Sequence, residues 1–168
     1  MKSLFILRHG KSDWNADFAA DHDRPLAPRG RSAARAMGVF LSRIGQAPDL
    51  VISSTAVRAD DTARLAAEAG DWSCTPETDR QLYEGNTGLI LPLVQQQDDS
   101  QDSLLLAGHE PTSSEMIAKL IGGGLVRMPT AALARIDFLV ESWAEVRFGN
   151  GMLVWLVTPK MLKKVLGA

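Results

Sequence analysis

The chain reads as an α/β protein built on a largely parallel central sheet of about six strands, and three observations predict it. Strand-like and helix-like segments alternate along nearly the whole sequence. The first apolar run, Leu4-Phe5-Ile6-Leu7, is unbroken, the mark of a strand covered on both faces. Three such runs also stop abruptly at polar residues: Arg8-His9-Gly10, Ser53-Ser54-Thr55 and Gly108-His109-Glu110. Sheets of this class bind their ligands at the carboxyl ends of the strands.

The elements follow in order. A strand is predicted over Ser3–Arg8, then a helix over Arg31–Ile44 with Ala33, Met37, Leu41 and Ile44 on one stripe and Gly45 as its stop. A strand over Leu50–Ser53 leads to a helix over Ala56–Ala69, with Ser54 and Thr55 as capping residues and Gly70 as terminator. A short strand is expected at Ser73–Thr75 and a helix at Leu89–Gln97. The strand Ser103–Ala107 is followed by a helix over Pro111–Ile121, which opens on proline, buries Met116, Ile117 and Leu120, and ends in Gly122-Gly123-Gly124. Strands over Ala132–Phe138 and Met152–Thr158 read as a hairpin pair closing one edge, with Gly149-Asn150-Gly151 as turn residues. A helix over Lys160–Leu166 closes the chain. No internal repeat is present, and residues 1–168 read as a single domain.

At 168 residues, such a domain buries roughly 70% of the surface of its unfolded chain. A net charge of -2 with no long basic run argues against nucleic acid as a partner. Lys160, Lys163 and Lys164 read as a solvated helix face. No apolar stretch approaches the roughly 18 residues a membrane span needs, and no secretory leader is visible, so a membrane role is not expected. The single cysteine, Cys74, has no disulfide or CxxC partner and reads as a packing residue, which fits a reducing cytoplasm.

The candidate chemistry lies at the three strand ends. Arg8-His9-Gly10-Lys11-Ser12 delivers a fixed cation, an imidazole and a glycine to the rim of the sheet. That combination suits an anion, phosphate first, with the glycine letting the backbone approach it. Arg58 falls in the first turn of a helix, where the macrodipole disfavours a cation unless an anion sits there too. A pairing of Arg58 with Asp60 or Asp61 is the plainer alternative. Gly108-His109 ends the third run directly before a helix. One histidine at a strand end is commonplace; two histidines and two arginines at separate strand ends are hard to explain by packing.

With these residues assembled, the chain closely resembles the histidine phosphatase superfamily, and within it the short SixA-like phosphohistidine phosphatases. Leu7-Arg8-His9-Gly10-Lys11-Ser12 resembles the nucleophile motif, and Arg24-Pro25-Leu26 with Arg29-Gly30 resembles the approach to the first helix. Ser53-Ser54 through Arg58-Ala59 and Thr62 is similar to the central segment. Gly108-His109-Glu110-Pro111 resembles the second histidine motif. Thr130–Ala134 and Thr158-Pro159-Lys160 are similar to the late strand and the C-terminal ending. The resemblance implies a phosphoglycerate-mutase-like, three-layer α/β/α sandwich. It implies His9 as a nucleophile carrying a phosphohistidine intermediate, with Arg8, Arg58 and His109 around the phosphoryl oxygens. Gly10, Lys11, Ser12 and Gly108 are the expected substrate-binding neighbours. No metal or other cofactor is expected.

Glu110 departs from the asparagine often found after the second histidine, and is expected to face away from the phosphate or cap the helix. Glu84 stands where the wider superfamily places a general acid; an ordinary loop carboxylate is the alternative, and Asp13 and Asp79 are further candidates. His22, between Asp21 and Asp23, lacks the HxxxH or HxH spacing of a metal site and is expected on a rim loop. Trp14 is expected either to wall the pocket or to serve packing. The expected substrate is phosphohistidine on a signalling or phosphorelay protein. The alternatives are a small phosphomonoester or another phosphoramidate, and then a non-catalytic phosphate-binding module.

Overall fold

The computed structural model describes residues 1–167. It contains β1 (Lys2–Arg8), α1 (Pro28–Arg43), β2 (Leu50–Ser54), α2 (Val57–Gly70), β3 (Glu77–Asp79), α3 (Gln81–Glu84), α4 (Thr87–Gln95), β4 (Ser103–Gly108), α5 (Thr112–Leu120), β5 (Leu133–Phe138), β6 (Gly151–Val157) and α6 (Pro159–Leu166). Short 3-10 turns occupy Asp21–Asp23 and Trp143–Glu145. The six strands form one sheet in the order β3-β2-β4-β1-β5-β6. β3, β2, β4 and β1 are parallel, and β5 and β6 add an antiparallel edge.

The three layers follow from the alternation of side chains along the strands. In β1, Leu4 and Ile6 join Leu104, Leu106 and Ile136 under α4 and α5, where Ile90, Val94, Met116, Ile117 and Leu120 cover them. Phe5 and Leu7 point the other way, joining Val51, Leu105 and Ala107 beneath Met37 and Leu41 of α1, Ala63 and Ala66 of α2, and Leu162 of α6. The unbroken apolar run Leu4–Leu7 therefore lies between two cores. Helices α1 and α2 pack closely because Gly38 carries no side chain; a Cβ there would lie 1.9 Å from the carbonyl oxygen of Ala66.

Three expectations need correction. The third strand lies at Glu77–Asp79, not Ser73–Thr75. Trp72 is instead buried, donating its indole N–H to Ser42 Oγ at 3.1 Å, and Pro76 has no N–H to give a ladder; pairing with Ile52–Ser54 starts beyond it. Helix α1 begins earlier, at Pro28, and its buried face is Ala34, Met37, Gly38 and Leu41, leaving Ile44 exposed. Helix α2 does stop at Gly70, as expected, and the left-handed residue that follows it is Asp71 (φ 51°). Finally, neither Ser54 nor Thr55 caps α2: the N-cap is Ala56, and both hydroxyls face histidines. The β5–β6 pair does close one edge, as expected.

Candidate active site

The register of the sheet assembles the site. Arg8 pairs with Gly108 at the ends of β1 and β4, while Ser54 ends the neighbouring β2. His9 follows directly and is locked by its backbone: its N–H donates to Gly108 O (2.9 Å) and its carbonyl accepts from Ala131 N–H (3.0 Å). Its Nδ1 lies 2.7 Å from Gly10 O. A carbonyl only accepts, so Nδ1 carries the proton and the lone pair sits on Nε2. Burial, reinforced by the charges of Arg58, Arg8 and Arg24, lowers the His9 pKa to about 4. His9 is thus a neutral imidazole at physiological pH, with Nε2 as its nucleophilic atom.

His109 stands beside it, ring centroid 5.2 Å from that of His9. Its Nε2 is 2.8 Å from Ser54 Oγ. Burial, followed by the neighbouring His9 and Arg58, lowers its pKa to about 3. Arg8 is anchored by Nη1 donating to Met128 O at 2.9 Å. Arg58 donates through Nη1 to the backbone carbonyl of Asp21 (2.8 Å) and through Nη2 to its carboxylate (3.0 Å). The acids nearest Arg58 in sequence go elsewhere: Asp60 to Arg64 and Asp61 to Arg31. Asp21 also holds Arg24 at 2.9 Å, and these guanidinium partners keep its carboxyl below the usual carboxylate range. One carboxylate therefore offsets part of two buried cations.

Among the described residues, five buried side-chain polar atoms lack a hydrogen-bond partner, and three of them are Arg8 Nε, Arg58 Nε and His109 Nδ1. Buried groups of this kind are almost always satisfied, and leaving one unmade costs about 1–3 kcal/mol. Three of the five thus belong to residues beside His9, and the two arginine Nε–H groups are donors of the kind an anion's oxygens accept from.

The remaining candidates fall out differently. The Gly10 N–H is already bonded to Thr62 Oγ1 (3.0 Å) and does not point at an anion. Glycine is required there because a Cβ would lie 2.7 Å from Gly30 O, so the close approach is to the start of α1 and not to a ligand. Ser12 is buried against Arg24, whose guanidinium donates to its hydroxyl. Lys11 is exposed, and Gly108 has room for a Cβ, its nearest neighbour being Ser113 Oγ at 3.8 Å. Glu110 caps α5, accepting from Ser114 N–H and Ser114 Oγ, both at 2.8 Å. Glu84 is exposed and paired with Arg80 at 2.6 Å, which lowers its pKa. A group held ionised in this way is not a ready proton donor.

Asp13 and Asp79 accept local backbone bonds from Asn15 and Gln81. His22 lies on the rim, 2.9 Å from Thr55 Oγ1 and edge-on to Tyr83. No group of three or more His, Cys, Asp or Glu residues is placed to hold a metal among the described residues. Trp14 is 64% exposed, with the Arg24 guanidinium 3.7 Å from its ring centroid and Phe18 at its edge. Cys74 is free and half-buried, consistent with packing. No described helix is long and apolar enough to cross a membrane.

Asp21 and the tie between Ser54 and His109 were not foreseen. The acids around His22 were visible, but nothing local shows that one of them folds across to Arg58.

Comparison with known proteins fits this geometry. Residues 4–103 match the profile of the Histidine phosphatase superfamily (branch 1). An uncharacterised protein of Mycobacterium tuberculosis is 34% identical over 164 residues, spanning 92% of this chain and all of the relative. Among solved structures, the protein histidine phosphatase SixA complexed with tungstate superposes with a TM-score of 0.82 at 27% identity, covering 96% of this chain and 99% of SixA. A SixA protein from Agrobacterium tumefaciens gives 0.80 at 26% identity, covering 94% and 98%. The 2,3-bisphosphoglycerate-dependent phosphoglycerate mutase of Mycobacterium leprae is 40% identical over 76 residues only, 44% of this chain and 31% of the mutase. With its neutral histidine, flanking cations and six-stranded sheet, this chain belongs to the histidine phosphatase superfamily.

Proposed function

We propose that this protein is a phosphatase that removes the phosphoryl group from phosphohistidine on another protein, by way of a covalent intermediate on His9. The observation that carries the reading is the set of buried, unpartnered nitrogens on Arg8, Arg58 and His109 beside a neutral His9 whose Nδ1 is held by Gly10 O, which leaves Nε2 for attack. In the first step His9 Nε2 attacks phosphorus in line, the N–P bond of the substrate breaks, and the departing imidazole, already protonated on its other ring nitrogen, leaves neutral, while His9 becomes an Nε2-phosphorylated ring that keeps its Nδ1–H. The flanking donors offset charge on the equatorial oxygens as it redistributes. In the second step water attacks phosphorus, the His9–phosphorus bond breaks, and inorganic phosphate leaves with His9 neutral again.

Three features favour phosphohistidine over an ester. Glu84, ionised and paired with Arg80, offers no proton to a poor alkoxide leaving group, whereas a protonated imidazole departs without such help. The segment between Glu84 and β4 is short and carries only α4, which leaves the site without a long cover. The likeness to SixA, a protein histidine phosphatase, runs nearly end to end. The arginines supply the charge that a metal supplies elsewhere, so activity is expected to be metal-independent.

A second reading, hydrolysis of a small phosphomonoester, has one observation in its favour. Tyr83, next to Glu84, lies edge-on to His109 at 5.6 Å, which sets the short helix that carries the carboxylate against the site. The test is phosphate release, with EDTA present, from a phosphohistidine-bearing protein and from an aryl phosphate, for wild type, His9→Ala and Glu84→Gln. Turnover of phosphohistidine that needs His9 and tolerates Glu84→Gln supports the first reading. Preference for the ester with loss in Glu84→Gln selects the second, and no turnover of either rejects both.

A further inference from the structure

Ser54 is fully buried at the end of β2, and its hydroxyl has two neighbours. The backbone N–H of Ala56 donates to Ser54 Oγ at 3.1 Å, and His109 Nε2 lies 2.8 Å from the same oxygen. The other ring nitrogen, Nδ1, is buried with no partner in the protein. Two proton arrangements satisfy these distances, and they differ in what they leave unmade.

If Nε2 carries the proton, Ser54 Oγ accepts twice, from Ala56 and His109. Its own O–H is then left without an acceptor, and Nδ1 becomes a buried acceptor without a donor. If Nδ1 carries the proton, Ser54 accepts from Ala56 and donates to Nε2, so both groups are satisfied on that side. The one remaining orphan is the Nδ1–H, a donor on a residue beside the nucleophile. The second arrangement leaves fewer buried groups unmade, and the one it leaves is of the sort a phosphoryl oxygen accepts from.

We infer that Ser54 is a positioning residue that fixes His109 as its Nδ1–H tautomer, making it a neutral hydrogen-bond donor to the phosphoryl group. His9 and His109 then hold their protons on the same ring nitrogen for opposite ends. His9 spends its Nδ1–H on Gly10 O to free Nε2 for attack, whereas His109 has its Nε2 occupied by Ser54 and presents Nδ1–H. The donor role rests on the reading of the pocket as a phosphoryl site; the tautomer does not, and is measurable in the free protein. An imidazole released from such a bond favours the Nε2–H form, as free histidine does. Losing the hydroxyl therefore moves the proton away from the site.

The experiment is nitrogen NMR of the imidazoles in 15N-histidine-labelled protein, with the His109 signals assigned by comparison with His109→Gln. It is run on wild type, Ser54→Ala and Ser54→Thr at neutral pH. The expected result is a protonated Nδ1 on His109 in wild type and Ser54→Thr, and transfer of the proton to Nε2 in Ser54→Ala. The rate of His9 phosphorylation from phosphoramidate is expected to fall roughly 10²-fold in Ser54→Ala, the usual cost of one misplaced donor, and to be restored by the threonine hydroxyl. A wild-type His109 protonated on Nε2 overturns the assignment. So does a Ser54→Ala protein that unfolds earlier in urea yet keeps its proton on Nδ1, because the serine would then be merely structural. If the spectra come out as expected but no phosphohistidine substrate is turned over, the tautomer assignment stands and the proposed activity fails.

Discussion

Acidification acts on His9 in a way the structure makes quantitative. An unfolded histidine titrates near pKa ~6.5, whereas His9 in the fold, desolvated and faced by three guanidinium groups, titrates at about 4. As pH falls through the upper value the unfolded chain takes up a proton that the folded chain refuses. The stability tied to His9 is therefore fully present above pH ~6.5 and is lost progressively between there and about pH 4. At pH 5 the unfolded group is roughly 97% protonated and the folded one roughly 9%, a difference worth about 2 kcal/mol relative to neutral pH. His109, lowered to about 3, adds a loss of the same sign. The assay is urea unfolding of wild type and His9→Gln at pH 7 and pH 5. The glutamine variant, whatever its stability at pH 7, should lose about 2 kcal/mol less on acidification than wild type. Equal losses in the two proteins, within about 0.5 kcal/mol, would mean that His9 titrates normally in the fold, and the case for a neutral nucleophile would collapse.

Other expectations follow from the same geometry. Arg58→Ala removes a buried donor beside the nucleophile and should lower kcat roughly 10²–10³-fold, measured as phosphate release, while Arg64→Ala on the exposed face of α2 leaves it unchanged. Gly10→Ala drives a Cβ to 2.7 Å from Gly30 O and should cost roughly 1–3 kcal/mol in urea unfolding; Gly108→Ala meets nothing closer than 3.8 Å and should cost under about 0.5 kcal/mol. Trp14, exposed and held by Arg24 at the rim, should matter for a protein-borne substrate only. Trp14→Ala is expected to raise KM for a phosphohistidine protein and leave the kcat/KM of phosphoramidate unaltered; a matching loss on both would show that Trp14 supports the pocket itself.

How much of this was legible in the chain depends on how local each feature is. The sheet class, both covered faces of β1, the placing of Arg8, His9 and His109 at strand ends and that of Arg58 in the first turn of the helix after β2 all follow from patterns within a few residues, and the structure has them there. The third strand lies a few residues beyond Ser73–Thr75 because Trp72 burial and Pro76 decide where pairing starts, and neither effect shows in the local pattern. Gly10 was read as room for a ligand, and the room is taken by Gly30, which only the docking of α1 reveals.

The sequence by itself determined which groups reach the rim of the sheet, since strand ends and helix starts are written in short stretches of chain. Only the tertiary structure decided how those groups are charged and aimed. Asp21 meets Arg58 across 37 residues, and Ser54 meets His109 across 55. The pKa of His9 depends on burial and on arginines from three separate segments. Hydrogen bonds and Coulomb forces act over a few ångströms of space whatever the distance along the chain, so protonation and orientation exist only once the fold has closed.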